Sequence, residues 1–373
     1  MEYSLPKPTI VNRQTVASRQ RPTYETPVYE VLKDPGFGDE QGARDWAKKF
    51  VTDLMEKEED HSLMISSLAG TGKTFTTNCI IERLTKKEIP FLALAPTHVA
   101  SHLLGGVDDD GKHIGRTIHS AFSVMKNGNL SSFAKYKVII VDEFSMVSEM
   151  HWAALIKLKR QYPNIRIVLV GNWAQLEPVN SRSSDFDFEN ANCIHELVNG
   201  RKLVLTKCRR ADEGGQELFK QYRYLAEDKY DKFDLDKFKE KECDLSIAYY
   251  NSTVHRVNKS WMKHYQPEDS LIVRASTRAR NMFKCQDIIL YDGLPLMACQ
   301  TRESEGFFNC ETWKVASWDV KKTRLVSDDE LPEKRYCEID TEELADIFRP
   351  AYCFTSHKAQ GSTIRRPYTV YDW

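Results

Sequence analysis

The chain has 373 residues, 41% of them hydrophobic, with 53 Lys plus Arg against 54 Asp plus Glu. That length allows two or more domains with separate cores, and the even charge excludes a global basic field, so a nucleic acid would have to meet a local groove. The nine cysteines include no Cys-x-x-Cys pair, which argues against a zinc ribbon and for a reducing compartment. No apolar run is long enough to span a bilayer and the N-terminus lacks a secretory apolar region, so a soluble, intracellular protein without a membrane partner is expected.

Residues 1–36 carry Pro6, Pro8, Pro22, Pro27 and Pro35 and read as an extended arm. Beyond Gly38, the spacing of Ala43, Ala47, Val51 and Leu54 predicts an amphipathic helix. The apolar run 63–65 predicts a buried strand, and Ile80, Ile81 and Leu84 a helix over 75–85. Between them lies Ser66-Ser67-Leu68-Ala69-Gly70-Thr71-Gly72-Lys73-Thr74. A glycine turn between strand and helix, closed by Gly-Lys-Thr, is the context of a phosphate-binding loop. Gly70 and Gly72 free the backbone of Ala69–Thr71 to wrap phosphate oxygens, and the helix N-terminus adds positive charge. Lys73 would reach the β- and γ-phosphates, and the Thr74 hydroxyl would hold Mg2+. The usual first glycine is Ser67 here, so a tighter or shifted loop entry is expected.

Strands are predicted at 91–95, 138–141 and 165–170, alternating with helical patterns. This is the rhythm of a parallel sheet whose site lies at the carboxyl ends of its strands. The polar stretch 105–135 contains Lys126-Asn127-Gly128-Asn129, a hairpin-turn signal that reads either as a surface hairpin or as a functional one. The second strand ends in Asp142-Glu143. Nucleotide hydrolysis needs one carboxylate for the metal and one to orient or deprotonate water, and these residues suit the two roles in that order. After the third strand, Gln175 could contact a γ-phosphate or position the water.

Beyond residue 200 a second αβ pattern begins, with strands predicted at 244–249 and 353–355. A solvated helix is expected over 228–242, and a β-rich stretch over 270–336. Short donors at loop tips (Thr97, His98, Thr117, His119, Ser356, His357) could follow a phosphate backbone. Phe122 or a His ring could stack on a base, which contributes about 1–3 kcal/mol. Taken singly, each His is more often a structural hydrogen-bonding group.

In this order the motifs resemble superfamily 1B DNA helicases, the RecD/Dda-like, Pif-type group, from about Gly38 to the end. Gln41 matches the adenine-reading glutamine, residues 67–74 motif I, residues 95–100 motif Ia and residues 117–122 motif Ib. Asp142-Glu143 match motif II and residues 171–176 motif III. Residues 205–210 resemble motif IV, its arginine at Arg210 with Arg209 the near alternative, and residues 354–363 resemble motif V, with Lys358 and Gly361. Asn258, after Tyr249-Tyr250-Asn251, and residues 306–309 also echo the family. The resemblance implies two RecA-like α/β P-loop domains with parallel sheets: an arm (1–36), a first domain (37–200) with a short pin insertion near 103–135, and a second (201–373) with a β-rich insertion near 270–340. It implies ATP and Mg2+ as ligands, single-stranded DNA and DNA forks as partners, 5′ to 3′ translocation by a monomer, and a strand-splitting role for the hairpin at 126–129.

Two departures stand out. Asn172 and Glu177 replace the Asp and Pro that motif III usually carries. The chain also stops at Trp373, before the family's final motif and its second phosphate-sensing arginine, so a truncated product is expected, with ATP binding surviving better than turnover. The alternatives are a viral-type superfamily 1 RNA helicase and an ATP-regulated nucleic-acid-binding protein with little turnover. A small-molecule kinase has no need of Arg210 and Lys358.

Overall fold

The computed structural model describes residues 26–37, 39–106, 108, 113–123, 130–175, 187–209, 213–226, 229–234, 243–328, 334–359, 364 and 366–372. Its first half is built on seven parallel strands: β1 (Glu30–Leu32), β2 (Leu63–Ser66), β3 (Phe91–Ala95), β4 (Arg116–Thr117), β5 (Val138–Val141), β6 (Arg166–Gly171) and β7 (Arg201–Val204). They lie in the order β1-β7-β2-β6-β5-β3-β4. Side chains alternate across a strand, and here both faces are apolar. Leu63, Ile65, Val138 and Ile140 pack toward α1 (Glu40–Glu56), α2 (Lys73–Lys86) and α3 (His98–His102). Met64, Ile139 and Val141 face α4 (Ile118–Ser123), α5 (Glu149–Gln161) and α6 (Asn192–Leu197). The continuous apolar runs are thus the mark of a sheet covered on both sides. Within the arm, β1 pairs with β7 and forms the edge of the sheet.

The second half opens with α7 (Glu213–Ala226), β8 (Ser246–Ala248) and α8 (Asn251–His264). There follow β9 (Leu271–Val273), α9 (Thr277–Phe283), β10 (Ile288–Leu290), β11 (Pro295–Ala298), β12 (Thr312–Trp318), β13 (Lys322–Ser327) and β14 (Tyr336–Asp340). The chain continues through α10 (Leu344–Ile347), β15 (Phe348–Pro350), β16 (Cys353–Thr355), α11 (Ser356–Ala359) and β17 (Thr369–Val370). β8 runs parallel to β16 and β17 on either side. β11–β15 form an antiparallel sheet in the order β14-β13-β12-β11-β15, and β9 pairs antiparallel with β10. These two antiparallel units share a core that includes Leu296, Phe307, Trp313, Leu325 and Phe348.

Of the stretch 228–242 expected as a helix, residues 229–234 hold a 3-10 turn at Tyr230–Lys232 and the rest lies outside the described residues. The β-rich sheet reaches past residue 340, because β15 closes it against β11.

Candidate nucleotide site and nucleic-acid track

The turn between β2 and α2 is a phosphate-loop geometry. Gly70 and Gly72 have φ of +83° and +95°, in the left-handed region that glycine enters without penalty. A Cβ on Gly72 would also approach Arg209 Cδ to 3.1 Å. Ser67 has no positive φ, so glycine is not required there. Instead its hydroxyl lies 2.6 Å from Thr71 Oγ1, which donates to Leu68 O at 2.9 Å. A pair of hydroxyls closes the loop where the family pattern has a glycine. Lys73 is 7% exposed, and its Nζ donates to Ser67 O at 2.9 Å and Leu68 O at 3.2 Å. Gly72 caps α2 without a side-chain bond, leaving first-turn N–H groups for an anion, with Thr74 beside them.

β5 delivers Asp142, 3% exposed, whose Oδ1 accepts from Glu143 N at 2.9 Å. Burial first, and then the charge of Glu143, push the Asp142 carboxyl up to about 7, while Lys73 draws it down. Glu143 itself sits at φ +51°, ψ +48°, a conformation that costs a non-glycine residue on the order of 1 kcal/mol. β6 delivers Asn172, whose Oδ1 accepts from Ala174 N at 3.2 Å and whose carbonyl accepts from Gln175 N at 3.1 Å. The Asn172 side-chain oxygen and carbonyl thus close the turn after β6.

Five buried polar atoms just past the ends of these two strands have no hydrogen-bond partner among the described residues: Glu143 Oε2, Ser145 Oγ, Asn172 Nδ2, Trp173 Nε1 and Gln175 Oε1. Buried polar atoms are nearly always satisfied, so a cluster of orphans at one spot calls for a polar ligand. The residues fit Mg2+ held by Thr74 and Asp142. Among the described residues no three His, Cys, Asp or Glu side chains assemble a metal cage. Mg2+ suits such a site, because it takes one or two protein ligands and leaves the rest to phosphate and water.

Gln41 lies exposed in the first turn of α1, its Nε2 donating to Asp45 at 3.0 Å. Next to that turn, Phe37 is buried edge-on against Trp46. The segment after β7 runs along the loop: Leu205 N donates to Ser66 O at 3.2 Å and Arg209 N to Gly70 O at 2.7 Å. The Arg209 guanidinium lies over the Phe37 ring and donates to Phe37 O. Of the two motif IV arginines, Arg209 is thus the one seen against the phosphate loop. Arg210, Gly361 and the hairpin 126–129 lie outside the described residues.

The proposed strand-binding residues separate into groups. Thr97 and Thr117 accept from Ala100 N and Ser120 N, both at 3.1 Å, as helix caps, so only their O–H remains to donate. His98 packs against Phe308, from the β11–β12 connection. His119 is exposed, edge-on to His151. Phe122 is corrected: it is 8% exposed, stacked on Phe133 with centroids 5.0 Å apart and built into the core, so its ring has no free face for a base. Ser356 Oγ is buried without a partner, and His357 lies beside the Tyr249 ring. Lys358 is half-buried, and burial and then the charge of Arg349 lower its pKa.

Three side chains had no role assigned from the sequence, where Tyr249 and Tyr250 stood only as part of an echo of the family. Tyr249 and Tyr250, 53% and 59% exposed, form an edge-on pair next to His357. Their adjacency to a strand end was the available signal. Tyr222 on α7 comes close enough to Glu143 that, after burial, the carboxylate raises its phenol pKa. Nothing in the sequence pointed to it.

A family described as an AAA domain matches residues 48–199. The ATP-dependent DNA helicase Pif1 of Bdellovibrio bacteriovorus is 28% identical over 183 residues, 43% of this chain and 38% of the relative. The ATP-dependent DNA helicase dda of Enterobacteria phage T4 is 33% identical over 134 residues, 33% of this chain and 29% of the relative. The chain thus spans less than two-fifths of the length of these relatives. Among solved structures, the Pif1 helicase from Candida albicans superimposes with a TM-score of 0.63 at 18% identity, covering 88% of this chain and 87% of that one. Bacteroides Pif1 bound to single-stranded DNA gives 0.61 at 17% identity, covering 90% and 85%. The fold is therefore the RecA-like α/β fold of Pif1 helicases.

Proposed function

We propose that this chain, with the fold of the Pif-type superfamily 1B helicases, is an ATP-dependent DNA helicase that moves along single-stranded DNA, 5′ to 3′ by family resemblance, and opens forked duplex. The observation that carries the reading is the cluster of orphaned polar atoms just past β5 and β6, where Asp142 also lies within reach of the buried Lys73 of the loop.

Lys73 and the N–H groups of the loop grip the β- and γ-phosphates. Glu143, with one carboxylate oxygen unpartnered, orients the attacking water and takes its proton. Gln175 contacts the γ-phosphate or that water, and an arginine of motif IV, Arg209 or Arg210, neutralises charge on the transferring group. Thr74 and Asp142 would hold Mg2+, which would supply charge neutralisation. On the nucleic-acid side, His98, His119, Ser356 and His357 offer donors, and Tyr249 and Tyr250 supply the aromatic faces that Phe122 cannot. That the curated relatives are DNA helicases, and that one structural neighbour holds single-stranded DNA, supports DNA as the track.

The test is ATP turnover by this chain alone, with single-stranded DNA and with single-stranded RNA, with Lys73→Ala as control. DNA-selective stimulation abolished by the substitution is expected. Equal or greater stimulation by RNA would favour the RNA-helicase reading, and nucleotide binding without turnover would favour an ATP-regulated binder. Turnover that survives Lys73→Ala would overturn the site.

A further inference from the structure

Where the end of α8, the turn between β10 and β11 and the last residue of β12 meet, they border a cavity of about 490 Å³. Its rings are Tyr265, Tyr291 and Trp318, and its charged groups are the carboxylates of Asp269 and Asp292. None of these residues belongs to the nucleotide site or to the nucleic-acid track. Tyr291 is 6% exposed and Trp318 is half-buried, whereas Tyr265, Asp269 and Asp292 are open to solvent. Two of the rings thus sit deeper than the carboxylates.

The walls are held in place by the protein itself. Tyr265 stacks on Trp261 and on Tyr352, with centroids 5.7 Å apart in each pair. The hydroxyls of Tyr291 and Tyr352 lie 2.7 Å apart, so the Tyr291 hydroxyl is engaged and its ring is what remains for a guest. Gly293 N donates to Val315 O at 2.8 Å and Leu294 N to Tyr291 O at 3.2 Å, which ties the turn to β12. Trp318 packs against the core of the antiparallel sheets. These walls lack a cation. Among the described residues no Lys or Arg lies over any of the three rings. Neither Asp269 nor Asp292 makes a side-chain hydrogen bond or ion pair with a described residue, although carboxylates elsewhere in this half do, as at Asp287 and Asp328. Ring faces and carboxylates attract a guest of the same sign, a cation.

We propose that this cavity receives a basic side chain, lysine or arginine, presented by a protein partner. Three observations select that occupant. The two carboxylates repel a phosphate backbone, which sets this surface apart from any nucleic-acid track. Rings beside carboxylates suit a cation on an apolar stem, because Lys and Arg lay their methylenes on apolar surface and keep the charged head near water. The solvent-open side matters as well. A small-molecule site buries about 70–90% of its ligand, whereas Tyr265, Asp269 and Asp292 leave this cavity open, so the guest is carried in from outside. The rings hold the stem and the face of the cation, and the carboxylates neutralise its charge. The site stands independently of the function proposed above.

The full chain is titrated with the peptide acetyl-Gly-Gly-Lys-Gly-Gly-amide, with its arginine and norleucine counterparts, with spermidine and with a single-stranded oligonucleotide. The readout is the Trp318 indole N–H signal in heteronuclear NMR, identified by its loss in Trp318→Phe. The lysine and arginine peptides should shift this signal at millimolar concentration, and added salt should weaken the effect. The norleucine peptide, equal in stem but uncharged, should bind about fivefold or more weakly. Asp269→Asn combined with Asp292→Asn should weaken the lysine peptide by a similar factor and remove its salt dependence. Tyr265→Leu should weaken it about fivefold, while Tyr265→Phe, which keeps the ring, should restore it. Circular dichroism checks that each variant is folded. An unmoved Trp318 signal would overturn the site, and equal binding of the norleucine peptide or of the doubly substituted chain would overturn its selection of a cation. Equal binding by Tyr265→Leu would overturn the role of the ring. Spermidine binding more tightly than either peptide would replace the partner's side chain with a free polyamine, and a shift caused by the oligonucleotide would make this a nucleic-acid surface; either result overturns the proposal.

Discussion

Asn258 offers a sharp test of how the second parallel sheet is held. It is fully buried on α8, its Oδ1 accepts from Cys353 N at 2.7 Å, and its Nδ2 donates to Cys353 O at 3.0 Å. β16 is an edge strand, and the amide satisfies the peptide groups on its open side as a further strand would. Asn258→Ala leaves one donor and one acceptor of a fully buried residue without partners. At about 1–3 kcal/mol for each of the two unsatisfied groups, the loss should be about 2–6 kcal/mol. Asn258→Asp should recover little, because a carboxylate cannot donate to Cys353 O. Since β16 leads directly into α11, the damage should appear there first. Hydrogen exchange is the assay: the Cys353 amide should be slow in the wild type and should exchange faster by at least an order of magnitude in Asn258→Ala. Urea unfolding followed by circular dichroism should show the matching loss of stability. An unchanged Cys353 amide, with a loss below 1 kcal/mol, would refute the argument.

Other expectations concern the cleft. Glu143→Gln should keep nucleotide affinity and lower turnover by about 10²–10⁴-fold, since an amide cannot take the proton; ATPase and nucleotide-binding titrations at normal rate and affinity would remove Glu143 as the base. Tyr250→Ala should weaken single-stranded DNA binding by about 1–3 kcal/mol while leaving thermal stability nearly unchanged, and Phe122→Ala should destabilise by about 3–5 kcal/mol; fluorescence anisotropy and thermal melts separate the two, and the reverse pattern would restore Phe122 as the base-stacking ring. Because the Asp142 pKa is raised, the metal-free folded state holds a proton that the unfolded chain releases between the ordinary aspartate value and about 7, so stability falls as pH rises through that window. Mg2+ with ADP should therefore raise the melting temperature more at pH 8 than at pH 5, and Asp142→Asn should abolish that difference in differential scanning fluorimetry.

The first sheet was readable because its strands are covered on both sides. Ile139, Ile140 and Val141 are apolar without interruption, and each run ends in a residue whose chemistry marks the site. The second half was less readable. Gly214 and Gly215 lie in the first turn of α7 and are poor helix formers. Phe122 shows a different limit. A ring in a recognised motif looks available until Phe133 is seen stacked on it, and that contact depends on packing across a gap in the chain.

The bonds from Leu205 and Arg209 to the phosphate loop are made by peptide N–H groups, not by side chains. A shift of Ser66 or Gly70 around a nucleotide therefore pulls directly on the main chain that leaves β7 for the second half of the molecule. Such a tether is indifferent to most substitutions, because every residue except proline carries the same N–H. Sequence could drift widely along this stretch while its mechanical connection to the nucleotide loop stayed intact.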